Sequence, residues 1–192
     1  MTARTAILTV LMLLGGCDAT TAPAQAGDEG QASAFPADAE GNWERIALYI
    51  GINEYRDEKI PDLSGCVNDA LRMRKALRAH GFLRDAILTN EMATHANVVA
   101  YLKALVTQVR TAKANKVAEP LVALYFAGHG NLVRGGDVDD GESDNSFTTH
   151  DTDKRGTRDI RDDDIHRLLT HLQSEELGAT VVFFVDACHS AT

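Results

Sequence analysis

Residues 121–130, LVALYFAGHG, and residues 180–190, TVVFFVDACHS, decide the fold of this chain. Each stretch begins as a short apolar run rich in β-branched and aromatic residues, which is typical of a strand buried on both faces. Each run then continues into small and polar residues, with His129 after the first and Cys188 after the second. The two stretches therefore predict two buried parallel strands that carry a histidine and a cysteine at their carboxyl ends.

The rest of the folded region alternates strand-like and helix-like segments. Residues 46–50 and 86–88 are further short apolar runs, which predict two more strands. Apolar residues recur at helical spacing in three other segments, residues 67–77, 98–109 and 165–172. Gly81 is expected to end the first helix, Thr94 to cap the second, and the third to follow Asp162. This order predicts an α/β fold with a mostly parallel sheet covered by helices.

Composition limits the classes of protein to consider. A chain of 192 residues, 44% hydrophobic and 24% charged, has room for one globular domain and a tail. The net charge of −9 has the wrong sign for neutralising phosphates, so nucleic acid is not an expected partner. Three cysteines are too few for a disulfide-rich scaffold or a four-thiolate zinc site.

The N-terminus has the features of an export signal. Arg4 precedes an apolar run too short to span a bilayer, and the run ends in small residues before Cys17. Residues 1–16 therefore resemble a bacterial lipoprotein signal peptide, with Cys17 as the lipidated residue and the protein anchored in the cell envelope, facing the periplasm. Plain secretion with an incidental cysteine is the alternative. Residues 17–42 are rich in alanine and acidic residues and are predicted to form a flexible tether before a domain at residues 43–192.

The two strand ends carry the chemistry expected of a cysteine hydrolase. Cys188 is a candidate nucleophile and His129 its candidate general base, because a thiolate is the reactive species and a nearby histidine lowers a thiol pKa. The backbone amides of Gly130 and Cys188 are candidate donors to a developing oxyanion. A buried structural cysteine beside a strand-end histidine is the alternative interpretation.

These residues lie in a series of motifs, which in chain order are residues 48–55 LYIGINEY, 63–70 LSGCVNDA, 125–130 YFAGHG, 160–164 IRDDD and 186–190 DACHS. The series resembles the catalytic large subunit of metacaspases, the caspase-like cysteine peptidases. The resemblance implies a caspase-like three-layer α-β-α sandwich with its C-terminal part missing or truncated. It also implies that Cys188 and His129 cleave peptide bonds after arginine or lysine in protein substrates.

Two aspartates are candidates for the pocket that binds the basic side chain of the substrate. By the resemblance, Asp69 and Asp186 line this pocket, where two carboxylates would favour a cation. Alternatively, Asp69 faces solvent in the first helical turn and Asp186 orients backbone amides. Cys66 is interpreted as a small buried residue without chemistry. A redox-switch disulfide between Cys66 and Cys188 is a further alternative, although nothing in the sequence places the two sulfurs together.

Residues 137–164 contain eleven acidic and four basic residues. Clustered oxygen ligands suit calcium, and the resemblance implies a calcium-stimulated enzyme with Asp162, Asp163 and Asp144 as the best-matched ligands. A solvated acidic loop is the alternative, and Asp162 could simply cap its helix.

Where the chain ends affects what it is expected to do. Only four residues follow Cys188, so the small subunit is expected to be missing, or to be replaced by a partner or by self-association. Lys154, Arg155 and Arg158 are candidate self-cleavage points. A catalytically silent caspase-like envelope module that binds calcium or a protein partner is the alternative function.

Overall fold

The computed structural model describes residues 9–12, 33–35, 44–134 and 143–189. The strands are β1 (Thr9–Met12), β2 (Arg45–Gly51), β3 (Arg84–Thr89), β4 (Leu121–Arg134), β5 (Ser143–Phe147), β6 (Ile160–Arg161) and β7 (Thr180–His189). The α-helices are α1 (Cys66–Ala79), α2 (His95–Ala114) and α3 (Asp162–Leu172). Every strand and helix predicted from the hydrophobic pattern is present. Most of the observed element ends lie within a few residues of the predicted ones.

The sheet has the strand order β1-β7-β4-β2-β3, and all neighbours along this path are parallel. The second half of β4 pairs antiparallel with β5, which in turn pairs with the two-residue strand β6. The continuation of β4 past its apolar run and the strands β5 and β6 were not predicted. β5 is mostly polar and β6 has only two residues, so neither shows the pattern that marks a strand.

Helices cover both faces of the sheet. Tyr49 and Tyr125 pack with Cys66 and Ala70 of α1 on one face. The alternate positions of the same strands pack with α2 and α3 on the other face, in a cluster that includes Leu48, Ile50, Leu124, Val98, Leu102, Leu105, Ile165, Leu169 and Leu172. The predicted three-layer α-β-α sandwich is confirmed.

The helix ends follow the predicted capping chemistry in two cases. The Thr94 hydroxyl accepts a hydrogen bond from the Asn97 amide at 3.3 Å. Gly81 has φ +86°, a left-handed conformation that glycine adopts without strain, directly after the C-cap of α1. The N-cap of α3 is Arg161 rather than Asp162, so Asp162 is instead the first helical residue.

Two short described segments lie N-terminal to the domain. Ser33, within the predicted tether, forms an antiparallel bridge with Ile87, and its hydroxyl accepts a hydrogen bond from Arg74 at 2.9 Å. Arg74 and Arg78 both pair with the buried carboxylate of Asp85. Within the predicted signal peptide, β1 pairs with β7 through residues 182–185. In the part of the chain that the structure describes, no helix is both long enough and apolar enough to cross a bilayer.

Candidate active site

Strand pairing brings the two predicted catalytic positions together. In the ladder between β4 and β7, His129 is the direct partner of Cys188, and Gly130 is the partner of His189. The two residues are 59 positions apart in sequence (188 − 129) but are adjacent across two neighbouring strands. The side chains of Cys188 and His189 lie outside the described residues, so the backbone register defines this part of the site.

His129 is almost completely buried and is held from two directions. Its Nε2 lies 2.8 Å from the carbonyl oxygen of Pro61, and its backbone amide donates to the Tyr55 hydroxyl at 2.9 Å. The rings of Tyr55 and His129 also contact each other, with centroids 5.1 Å apart. Because a carbonyl only accepts, Nε2 must carry the hydrogen, and Nδ1 of the neutral ring then bears the lone pair. The Pro61 carbonyl therefore selects the tautomer in which Nδ1 can take a proton.

Glycine at position 128 lets Tyr55 approach the backbone. A Cβ at this position would lie 3.1 Å from the Tyr55 hydroxyl oxygen and 3.1 Å from Phe126. Such contacts are tighter than side chains normally make, so a larger residue would push Tyr55 away from the His129 amide.

The Gly130 amide faces the strand that carries Cys188. The His129 amide points to Tyr55, and the His129 carbonyl accepts from the Thr148 amide at 3.0 Å, so both polar groups of this residue point away from β7. Successive residues of a strand direct their polar groups to opposite sides. The amide of Gly130 therefore points toward β7.

Asp186 and Asp69 lie on the α1 face at the same edge of the sheet. Asp186 is buried and accepts a hydrogen bond from the Tyr125 hydroxyl at 3.2 Å. Burial raises the pKa of Asp186 above the ordinary aspartate value and the charge of Asp69 raises it further, while the bond from Tyr125 opposes the shift. Burial and the neighbouring Asp186 likewise raise the pKa of Tyr125. Asp69 is half-buried and pairs with Arg72 at 3.4 Å, and its charge acts on Asp186.

The predicted calcium ligands have other partners. Asp144 forms an ion pair with Arg161 at 3.0 Å, and Asp162 accepts from the amide of Asp163 at 3.0 Å. Within residues 44–134 and 143–187, no three acidic, histidine or cysteine side chains form a group that could hold a metal ion. Calcium binding by Asp144, Asp162 and Asp163 stays a prediction.

Cys66 is the first residue of α1 and is fully buried, as predicted. Its sulfur is disulfide-bonded, whereas the sequence favoured a free thiol without chemistry. The predicted lipidation site Cys17 lies outside the described residues.

No role was predicted for Tyr55, Pro61 or Tyr125. Tyr55 and Tyr125 lie in the motifs of residues 48–55 and 125–130, but a hydroxyl that supports a backbone amide leaves no compositional signal. The contribution of Pro61 is a backbone carbonyl, which every residue has, so only the fold could reveal it.

Comparison with known proteins adds a family to this geometry. A family model described as the metacaspase, peptidase C14 domain matches residues 45–192. Metacaspase-2 of Trypanosoma brucei brucei is 33% identical over 158 residues, which cover 76% of this chain and 41% of that protein. Metacaspase-1 of Ajellomyces capsulatus is 31% identical over 160 residues, which cover 77% and 41% of the two chains. The chain spans about two fifths of the length of these curated relatives.

A solved structure shares the fold. The crystal structure of protein GSU0716 from Geobacter sulfurreducens aligns with a TM-score of 0.54 and 28% identity. The alignment covers 78% of this chain and 52% of that one.

Proposed function

Because this chain belongs to the metacaspase family of cysteine peptidases, we propose that it is an endopeptidase that cleaves after arginine or lysine. The observation that carries the proposal is the register between β4 and β7, which pairs His129 with Cys188 at the carboxyl end of the sheet. The remaining features below support individual steps of the reaction.

In the proposed reaction, Nδ1 of His129 takes the proton of the Cys188 thiol, and the thiolate attacks the carbonyl carbon of the scissile bond. The amides of Gly130 and Cys188 stabilise the negative oxygen that forms. The His129 imidazolium then protonates the leaving amine, and water hydrolyses the thioester that remains. The bond from Nε2 to the Pro61 carbonyl supports these steps because it holds the ring in one orientation in both protonation states.

The preference for a basic residue rests on the two carboxylates. Asp186 is a buried acid with a raised pKa beside a second acid, Asp69, which is an unfavourable arrangement without a cation. A guanidinium or ammonium group between them would offset both the burial and the repulsion. This charge distribution supports arginine or lysine as the residue that precedes the scissile bond and disfavours aspartate.

Self-cleavage is proposed after Lys154 or Arg155. Both side chains are exposed in the turn that follows β5. Arg158 is a poorer candidate, because its side chain pairs with Asp151 at 2.7 Å and its carbonyl accepts from the Thr149 hydroxyl at 2.7 Å. Cleavage there would require those bonds to break first.

Calcium stimulation, expected from the family resemblance, remains a prediction. Asp144, Asp162 and Asp163 would have to be rearranged, and Asp144 released from Arg161, before they could bind the ion together. We therefore derive no catalytic step from calcium. We also propose, on the sequence of residues 1–17, that the protein is exported and carries lipid on Cys17 in the cell envelope.

The test is cleavage of a matched pair of fluorogenic peptides that differ only in arginine or its neutral isostere citrulline before the scissile bond. Lysyl and aspartyl peptides are run beside them, with and without calcium. We expect the full chain to cleave the arginyl and lysyl peptides and Cys188→Ala to cleave neither. Turnover by Cys188→Ala equal to that of the unmodified chain would refute the nucleophile.

The pocket is tested with Asp186→Asn, and Asp164→Asn serves as the matched control because it removes one exposed carboxylate of α3. Loss of a charge-assisted bond costs about 1.5–3 kcal/mol, so kcat/KM for the arginyl peptide should fall roughly 10- to 100-fold. With Asp186→Asn, kcat/KM for the citrullyl peptide should fall much less. Asp164→Asn should leave kcat/KM unchanged for both peptides. Equal losses with both peptides would show that Asp186 does not recognise the positive charge.

A further inference from the structure

The Cys66 disulfide requires a second cysteine, and the chain contains only Cys17 and Cys188 besides Cys66. The arrangement of the sheet distinguishes these two candidates. The last described residue before Cys17 is Met12 of β1, which pairs with Val185 at the outer edge of the sheet. Strands β7 and β4 lie between β1 and β2, and α1 begins above the end of β2.

Position 188 lies on the same face of the sheet as α1. Tyr125 and Ala127 of β4 pack in the cluster that contains Cys66, and His129 follows them at the same two-residue period. Paired residues of neighbouring strands share a face, so position 188, the partner of His129, belongs to this face as well.

Asp69 and Asp186 connect the two cysteine positions. Cys66 and Asp69 are three residues apart in α1 and therefore lie on one side of the helix. Asp69 acts electrostatically on Asp186, which is two residues before Cys188 on the same face of β7. The start of α1 and the end of β7 thus face each other across the proposed substrate pocket.

We propose that Cys66 and Cys188 form a disulfide that blocks the catalytic nucleophile and that its reduction switches the enzyme on. The proposal rests on the function proposed above, in which Cys188 must be a free thiolate. It also agrees with the proposed lipidation, because a lipid on the Cys17 sulfur would leave Cys188 as the sole remaining partner of Cys66. An export compartment favours the oxidised form.

The redox step balances with a small-molecule disulfide, such as glutathione disulfide, as the oxidant. Because Cys66 is fully buried, we expect the Cys188 thiolate to attack the oxidant first and release one thiolate. The Cys66 thiolate then attacks the Cys188 sulfur of this mixed disulfide and releases the second. Two protein thiols lose two protons and two electrons, and the oxidant becomes two thiols. A dithiol such as dithiothreitol reverses both steps.

The linkage can be read directly, because trypsin places the three cysteines in different peptides. Cys17 falls in residues 5–45, Cys66 in residues 60–72 and Cys188 in residues 168–192. The full chain is oxidised with glutathione disulfide, alkylated, digested without reductant and analysed by mass spectrometry. We expect residues 60–72 to be linked to residues 168–192. A link from residues 60–72 to residues 5–45, or no link at all, would overturn the proposal.

Activity and alkylation test the switch. In the oxidised chain, iodoacetamide labelling of Cys188 and cleavage of the arginyl peptide should both fall at least about tenfold and should return with dithiothreitol. Cys66→Ser should stop at the mixed disulfide and carry glutathione on Cys188 by mass spectrometry, whereas the matched control Cys17→Ser should form the same link between residues 60–72 and 168–192 as the unmodified chain. Full labelling of Cys188 in the oxidised unmodified chain would contradict the proposal, even if Cys66→Ser fails to fold.

The two proposals can fail separately. A reduced chain that cleaves no peptide would refute the proposed function, while the peptide linkage and the labelling of Cys188 would still decide whether the disulfide forms.

Discussion

The hydroxyl of Tyr55 supports the general base, and its removal gives the sharpest test of the site. It accepts a hydrogen bond from the backbone amide of His129, and both residues are buried. Tyr55→Phe removes the acceptor and leaves that amide without its bond, while the ring that contacts the imidazole remains. The change is therefore expected to loosen the position of His129 without removing any catalytic atom.

The expected cost follows from the burial of the amide. An unsatisfied buried donor costs about 1–3 kcal/mol. For a domain of this size, 1 kcal/mol lowers Tm by roughly 2–4 °C, so Tyr55→Phe should lower Tm by about 2–12 °C. A misplacement of a catalytic group by about 1 Å can reduce the rate about 100-fold. We expect kcat for the arginyl peptide to fall roughly 10- to 100-fold, with KM little changed.

Tyr49→Phe is the matched control. Tyr49 is also buried, but its hydroxyl has no hydrogen-bond partner among the residues that the structure describes. Its removal relieves a buried polar group and should leave Tm unchanged or slightly higher. Both variants are compared by thermal unfolding and steady-state kinetics. Equal Tm values for Tyr55→Phe and Tyr49→Phe would refute the argument that Tyr55 supports the His129 amide.

Two further predictions concern the packing of α1 against Gly51 and the titration of Asp186. Gly51→Ala places a Cβ 2.7 Å from the Cys66 carbonyl oxygen and 2.8 Å from the Ala70 Cβ. We therefore expect thermal unfolding to show that the free energy of unfolding falls by about 1–3 kcal/mol. An unchanged Tm would show that α1 shifts without cost. Because its pKa is raised in the folded state, ionised Asp186 opposes folding: Asp186→Asn should have the higher Tm at pH 7, and the gap should close as pH falls through the raised pKa to below the ordinary aspartate range. A gap that widens with acidification would reverse the sign of the proposed shift.

Hydrophobic period was sufficient to predict the parallel sheet and its helices. Buried strands such as β2 and β7 are continuous apolar runs, and α3 repeats its apolar residues at helical spacing, so each element carries its own signal. The order of these elements then allows few arrangements, since crossovers between parallel strands are right-handed. The pairing of β4 with β5 could not be predicted because β5, SDNSF, is short and mostly polar and shows no strand pattern.

Some residues of the candidate site could likewise be predicted from sequence, and others could not. His129 and Cys188 could be named from sequence because both follow buried strands, and the carboxyl ends of parallel strands meet at one edge. The groups that orient His129 could not be predicted from sequence, because they lie in a distant loop. The Pro61 carbonyl is 68 residues away and the Tyr55 hydroxyl is 74 residues away. The Cys66 disulfide could be no more than an alternative at the level of sequence, since spacing alone never shows that two sulfurs approach each other.

The unfavourable features of this edge of the sheet share one explanation. Asp186 is buried beside another acid, and neither the fold nor the burial of α1 requires a carboxylate at that position. Natural sequences retain such local costs mainly where the group has a task, because a neutral side chain of similar shape would give a more stable domain. A bound substrate cation would remove both the burial cost and the repulsion from Asp69. Binding energy from the basic residue would then be concentrated two residues from Cys188, where it can position the scissile bond for attack.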